Sequence, residues 1–176
     1  MEERRGDPEV VFRGRVMTVH VDPVTAKSGP TTREVVDRVP AVAVVAETAG
    51  GSLVVVRQFR WAVQSWLYEL PAGMVNAGEA PLAAAIRELE EETGYRATHW
   101  QLLYRYYSSP GYSNEMLYIF YAQGLERGTP HYDADEELEV ITWTRQEAAE
   151  HLASGEVLNG MLLIGVSWWL HQSRSA

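Results

Sequence analysis

Hydrophobic and polar positions alternate in short runs over the start of the chain. Val10-Val11-Phe12 and Val16-Met17-Thr18-Val19 flank Gly14 and predict a hairpin-like pair of strands. Residues 22–31, Asp-Pro-Val-Thr-Ala-Lys-Ser-Gly-Pro-Thr, are dense in turn formers and predict a loop. Arg33 to Val39 is again strand-like, so residues 1–40 are expected to form a small sheet of their own. Ala41-Val-Ala-Val-Val-Ala46 and Leu53-Val-Val-Val-Arg57 flank Ala49-Gly50-Gly51. Arms this apolar predict a hairpin of strands covered on both faces. Ala80 to Tyr95 changes to a helical period, and His99 to Tyr107, Glu115 to Gln123 and Leu138 to Trp143 return to strand. Thr144-Arg-Gln-Glu147 has the spacing of a capping box, which starts a helix, and Gly155 suits its end. Residues 159–171 form a second, largely apolar helical segment. The order strands, helix, strands, helices predicts an α/β (α+β) domain over 41–176, with a mixed sheet between helices.

The helix at 81–93 is the informative element. Pro81 suits a first turn, where its missing N–H costs nothing, and Gly94 suits the left-handed position just past the end. At about 100° per residue, Leu82, Ala85, Ile86 and Leu89 share one arc, the predicted core face. Glu88, Glu91 and Glu92 share a second arc beside it, with Arg87 at the far edge next to Glu91. An acid-rich face is ordinarily solvated surface. These acids, however, occupy the last turns, where the helix dipole is negative and each carboxylate costs roughly 0.3–1 kcal/mol. Glu88 and Glu92 also repel each other at i, i+4. A divalent cation removes the penalty, and hard carboxylate oxygens suit Mg²⁺ or Mn²⁺. The pattern therefore points to a metal site, with Glu79 in the preceding loop as a further acid.

Charge sharpens this. The 176 residues carry 15 Lys plus Arg against 24 Asp plus Glu, a net charge of −9, which argues against non-specific nucleic-acid or anionic-membrane binding. The absence of cysteine excludes disulfides, Cys-zinc sites and thiol catalysis. Met1 to Gly6 lacks the apolar run of a signal peptide and no apolar stretch is long enough for a membrane span, so a cytoplasmic location is expected. His20, His99, His131, His151 and His171 are scattered without metal spacing and are expected to be structural or on the surface. Trp168 and Trp169 are expected to pack in the core or a dimer contact, and Trp61 and Trp66 to pack in the core or against a subunit, with stacking on a base as the alternative.

The segment Gly73 to Tyr95 resembles the Nudix hydrolase signature: Gly, five residues, Glu, seven residues, Arg-Glu-apolar-any-Glu-Glu-any-Gly-apolar. Gly73, Glu79, Arg87, Glu88, Leu89, Glu91, Glu92, Gly94 and Tyr95 fill every defined position. The resemblance implies an α/β/α sandwich, here with the small N-terminal β-sheet added. It also implies Mg²⁺- or Mn²⁺-dependent hydrolysis of a nucleoside diphosphate linked to another moiety. Glu88, Glu91 and Glu92 become metal ligands, Glu79 a metal or water-mediated ligand, and Arg87 an ion-pairing orienter of the glutamates. Arg57-Gln-Phe-Arg60, Glu69-Leu-Pro-Ala-Gly73 and Ser109-Pro-Gly-Tyr-Ser-Asn-Glu115 look like the ADP-ribose pyrophosphatase branch. That branch implies the Ala72 carbonyl as a metal ligand and Arg60, Glu69, Pro110 and Glu115 as substrate contacts. It also implies a nucleotide-sugar substrate and a homodimer, with residues 1–40 contacting the partner.

Two positions depart from the branch. Ala134 stands in an acidic loop where relatives often carry Glu, and Asn76 stands where an acid is common. The first leaves Glu136 as the loop acid for general-base work, with Glu91 or Glu92 as the alternative. Other Nudix substrates (a GDP-sugar, NADH or an oxidised nucleoside triphosphate) are the nearest rival reading. A non-catalytic nucleotide-sensing module is the more distant one, since such modules tend to lose the glutamates retained here.

Overall fold

The computed structural model describes residues 4–128, 138–155 and 158–172, with Arg4 and Arg5 described by their backbone alone. It divides into two compact units, one comprising 1–40 with 106–117 and the other 41–105 with 118–176.

The first unit is an antiparallel sheet centred on β3 (Thr18–Ala26). Strand β4 (Gly29–Asp37) pairs along its whole length, from Thr18↔Asp37 to Ala26↔Gly29. Strands β2 (Glu9–Arg13) and β1 (Arg4–Arg5) share the opposite edge, with a register shift between Val10 and Phe12. The stretch 22–31, expected as a loop, is instead strand, then a tight turn, then strand. Val24, Thr25, Thr31 and Thr32 are β-branched residues at paired positions, and Gly29 takes the positive φ (112°) that lets the chain reverse. The segment Tyr106–Leu117 joins this unit through a parallel bridge between Val36 and Ser113.

The second unit holds two sheets. One has the order β8-β5-β10-β9: β5 is Ala41–Ala46, β8 Ala72–Met74, β9 Tyr95–Tyr107 and β10 Met116–Arg127. Tyr95–Arg105 of β9 and Tyr118–Arg127 of β10 belong to this unit. The other sheet is β11-β6-β7, from Leu138–Trp143, Leu53–Arg60 and Ser65–Glu69. Residues 42–46 of β5 and 53–56 of β6 are buried, but the two strands do not form the expected hairpin. They meet at a single bridge, Glu47↔Leu53, beneath a turn in which Thr48 binds the backbone of Gly51 and Ser52. Beyond it each strand pairs in a different sheet.

Alternation along β5 explains the helices. Val42, Val44 and Ala46 pack with Ala84, Ala85 and Leu89 of α1 (Pro81–Thr93). Val45 points the other way, toward α3 (Gly160–His171), where Gly165 lies so close that a Cβ would come 2.8 Å from Val45 Cγ2 and 2.6 Å from Leu70 Cδ1. A helix therefore covers each face of the sheet, giving the α/β/α sandwich. Each fully buried valine contributes roughly 1.5–3 kcal/mol. Helix α2 (Arg145–Ala153) starts at the complete capping box of Thr144 and Glu147 and packs on β11 and α3. Among the described residues, no helix is long and apolar enough to cross a membrane.

Candidate active site

Helix α1 begins at Pro81 and ends at Gly94, which takes φ 71° and donates its N–H to the Glu90 carbonyl. Its buried side is turned from the predicted arc toward the acid stripe. Ala84, Ala85, Leu89, Glu92 and Thr93 are buried, while Leu82 and Ile86 stay 41% and 42% exposed. The expected core face is corrected accordingly: Glu92 takes a place that apolar periodicity assigned to leucine and isoleucine. Its carboxylate meets an amide donor there, accepting from the Ala72 N–H at 2.9 Å, which offsets part of the cost of burial. Ala72 thus shows its N–H, rather than its carbonyl, engaged with the helix.

Arg87 is the hub of the acidic cluster. Nε and Nη2 donate to the two oxygens of Glu79, each at 3.0 Å. Nη1 donates to Glu88 at 2.7 Å and Glu91 at 3.0 Å, and Nη2 also reaches the Met74 carbonyl at 3.0 Å. A planar fork of five N–H donors suits this many oxygens where a lysine would not. The bidentate bond from Arg87, aided by the Asn76 N–H, lowers the Glu79 pKa below its ordinary value. In turn Glu79, then Glu88 and Glu91, raise the Arg87 pKa against the opposing effect of burial. Gly73 on β8 makes room for the cluster, since any Cβ there would sit 2.1 Å from the Glu88 carboxylate. A larger residue there would displace the Glu88 carboxylate from its bond to Arg87.

A cavity of about 540 Å³ opens beside this cluster, with Arg87, Glu88, Glu91 and Glu92 on one wall and Gln58 and Arg60 on another. Arg60 is oriented by the buried Glu69, which accepts from its Nε at 2.9 Å and from Nη2, and Gln58 adds a third bond to the same carboxylate at 3.3 Å. Gln58, Ala41 and Met161 line the cavity without having been singled out in the sequence. Gln58 was detectable, because strand alternation puts it on the same face as Arg60. Met161 lies on the first turn of α3, distant in sequence from every motif. Among the described residues no three acidic or histidine side chains converge as a ready metal cage. The reason is visible in the bonding: three glutamates close on Arg87 and the fourth on Ala72. The donor set still suits a hard divalent cation, because several carboxylates share one cavity with a single arginine tying them.

Pro110 and Glu115 lie in the first unit. The loop carrying them is bound to the end of β4, and Glu115 Oε1 lies 2.8 Å from Arg38 Nε. Burial, then the nearby Glu115 charge, raises the Tyr106 pKa. Glu136, with its acidic neighbours, Ala134 and His131, lies outside the described residues. Trp61 is 78% exposed on the β6–β7 connection, beside Phe59, so it is not part of the core of this chain. His151 stacks on Trp143 at 4.1 Å.

A model of the NUDIX domain matches residues 37–160. The chain is 35% identical over 170 residues to a methanol dehydrogenase activator of Bacillus methanolicus, covering 95% of this chain and 92% of that one. It is 34% identical over 171 residues to an ADP-ribose pyrophosphatase of Bacillus subtilis, covering 96% and 92%. A crystal structure of an ADP compounds hydrolase superposes with a TM-score of 0.82 at 25% identity, covering 97% of this chain and 95% of that one.

Proposed function

The chain belongs to the NUDIX family of hydrolases, and from that premise we propose that it is a Mg²⁺-dependent pyrophosphatase of ADP-ribose, releasing AMP and ribose 5-phosphate, or of a related nucleoside diphosphate sugar. The observation that supports this most is the cavity lined by the Arg87-tied Glu88 and Glu91, by Glu92 and by a second arginine, Arg60. Carboxylates suit a cation and Arg60 suits a phosphate. Similarity to an ADP-ribose pyrophosphatase supports a substrate of that class.

In this reading Glu88, Glu91, Glu92 and the Ala72 carbonyl would hold the metal, with Glu79 as a further or water-mediated ligand. A bound divalent cation would offset the charge of the diphosphate and acidify water near neutral pH. Everything else falls to side chains. Arg87 holds the glutamates against their mutual repulsion. Glu69 locks Arg60 so that its guanidinium can meet the diphosphate. Glu136, or alternatively Glu91 or Glu92, accepts the proton of the attacking water. The new bond runs from the water oxygen to one phosphorus, and the bond from that phosphorus to the bridging oxygen breaks. Glu115 binds the terminal ribose and Pro110 shapes its loop. We also propose a cytoplasmic homodimer in which the N-terminal strands contact the partner. Val10, Val11 and Phe12 of β2 are exposed in this chain, as an interface would require.

Mononucleotide release with Mg²⁺ across ADP-ribose, ADP-glucose, GDP-mannose, NADH and 8-oxo-dGTP tests the assignment; preferred turnover of the triphosphate would sink it. Glu88→Gln and Glu92→Gln should lower kcat by roughly two orders of magnitude or more without lowering the melting temperature in EDTA. A Glu136→Gln enzyme with near wild-type turnover would move the base to the helix.

A further inference from the structure

The first unit holds a buried titratable residue for which the proposed chemistry has no use. His20 on β3 is 2% exposed, and Asp22, two residues along the same strand face, is 5% exposed. Nδ1 of His20 lies 2.6 Å from Asp22 Oδ1. Nε2 is shut off from solvent, makes no aligned hydrogen bond and has Asp37 Oδ2 at 3.2 Å. The ring thus lies between two carboxylates, with Asp22 at its Nδ1 and Asp37 at its Nε2, and packs against the side chain of Asp37.

Asp37 is the last residue of β4, and its other oxygen reaches the loop that carries Glu115. Oδ1 accepts from Asn114 Nδ2 at 2.7 Å. The Asn114 Oδ1 accepts the Arg38 N–H at 3.0 Å, and the Asn114 N–H donates to the Val36 carbonyl at 3.3 Å. The Val36 N–H donates to the Tyr112 carbonyl at 2.7 Å. Glu115 then sits 2.8 Å from Arg38. The end of β4 thus grips the loop through Asn114, and Asp37 touches both the buried imidazole and that loop.

We propose that His20 is a positioning residue: by fixing Asp37 it sets Asn114, and through Asn114 the bearing of Glu115 toward the substrate. The inference rests on the reading of Glu115 as a ribose contact.

The test uses the full-length enzyme and two readouts, ADP-ribose kinetics and amide hydrogen exchange of the peptide covering 109–115. His20→Leu removes the buried link. Asp37→Ala removes the outer one at a side chain that is 48% exposed, where folding is not at stake. Each should raise KM about tenfold with kcat changed less than about threefold, and each should speed exchange in 109–115. The swap D37N/N114D reverses the amide–carboxylate bond and keeps an oxygen facing His20, so it should return both readouts toward wild type. Unchanged exchange in the folded variants, or a swap no better than Asp37→Ala, would overturn the positioning role. Faster exchange with wild-type KM, alongside wild-type KM in Glu115→Gln, would support the anchoring and overturn the reading of Glu115.

Discussion

At the scale of single residues, the acidic cluster is organised by Arg87, and Glu79 is its most specific partner. Glu79 takes both oxygens to the guanidinium from a loop outside the helix, so it ties the chain before α1 to the helix body. Its pKa is lowered from the ordinary 4.5, first by the bonds from Arg87 and then by the Asn76 N–H. A carboxylate whose folded pKa is depressed contributes stability above its unfolded value and loses it as pH falls through the folded one. In EDTA, Glu79→Gln should therefore melt lower than wild type at pH 7. The gap should narrow below pH 4.5 and close once Glu79 is protonated in the folded protein. Thermal melts across pH 3–7 measure it; a gap independent of pH would show that packing, not charge, holds the loop. The nine signature positions were legible because chemistry fixes their spacing. Asn76 and Met74 were not, because they act through backbone N–H and carbonyl groups, which every residue has.

At the scale of elements, α1 shows where periodicity succeeds and where it misleads. Its ends were legible from Pro81 and Gly94, and the capping box of α2 and the span of α3 were likewise written in local residues. The direction of its buried side was not. Apolar periodicity selects Leu82 and Ile86, but the site needs Glu92 against the Ala72 amide and Glu88 against Gly73, and that need rotates the helix toward its acids. Loop 22–31 failed for a related reason: Pro23 and Gly29 look like turn formers, yet cross-strand pairing with β4 decides the outcome. So did the β5–β6 hairpin, since two apolar strands joined by a glycine turn do not declare that they enter different sheets. The rotation has a measurable consequence. Ile86→Gln should change stability by about 0.5 kcal/mol or less, whereas Leu89→Ala, at a fully buried position, should cost about 2–5 kcal/mol. Urea unfolding of the two variants distinguishes them, and comparable losses would return Ile86 to the core.

At the scale of the whole molecule, a net charge of −9 poses a problem that its distribution answers. An enzyme for a diphosphate substrate should not repel it, and an even acidic surface would. Here several of the acids are gathered around one arginine in one cavity, where a cation can neutralise them locally. The two kinds of acid respond differently to ions. Dispersed charge is relieved by any salt through screening, with a Debye length of about 8 Å at physiological ionic strength. A chelating cluster is relieved by a divalent ion at concentrations too low to screen. A ligand that binds the folded state stabilises it by RT ln(1 + [L]/Kd), about 2.7 kcal/mol at a hundredfold excess over Kd. In a chain of this length each kcal/mol raises Tm by roughly 2–4 °C. Mg²⁺ should therefore raise Tm by several degrees where NaCl of equal ionic strength does little, and Glu88→Gln should lose most of that rise while keeping the NaCl response. If Mg²⁺ and NaCl act alike, or if Glu88→Gln keeps the full Mg²⁺ effect, the acid excess is ordinary surface charge and the metal site lies elsewhere.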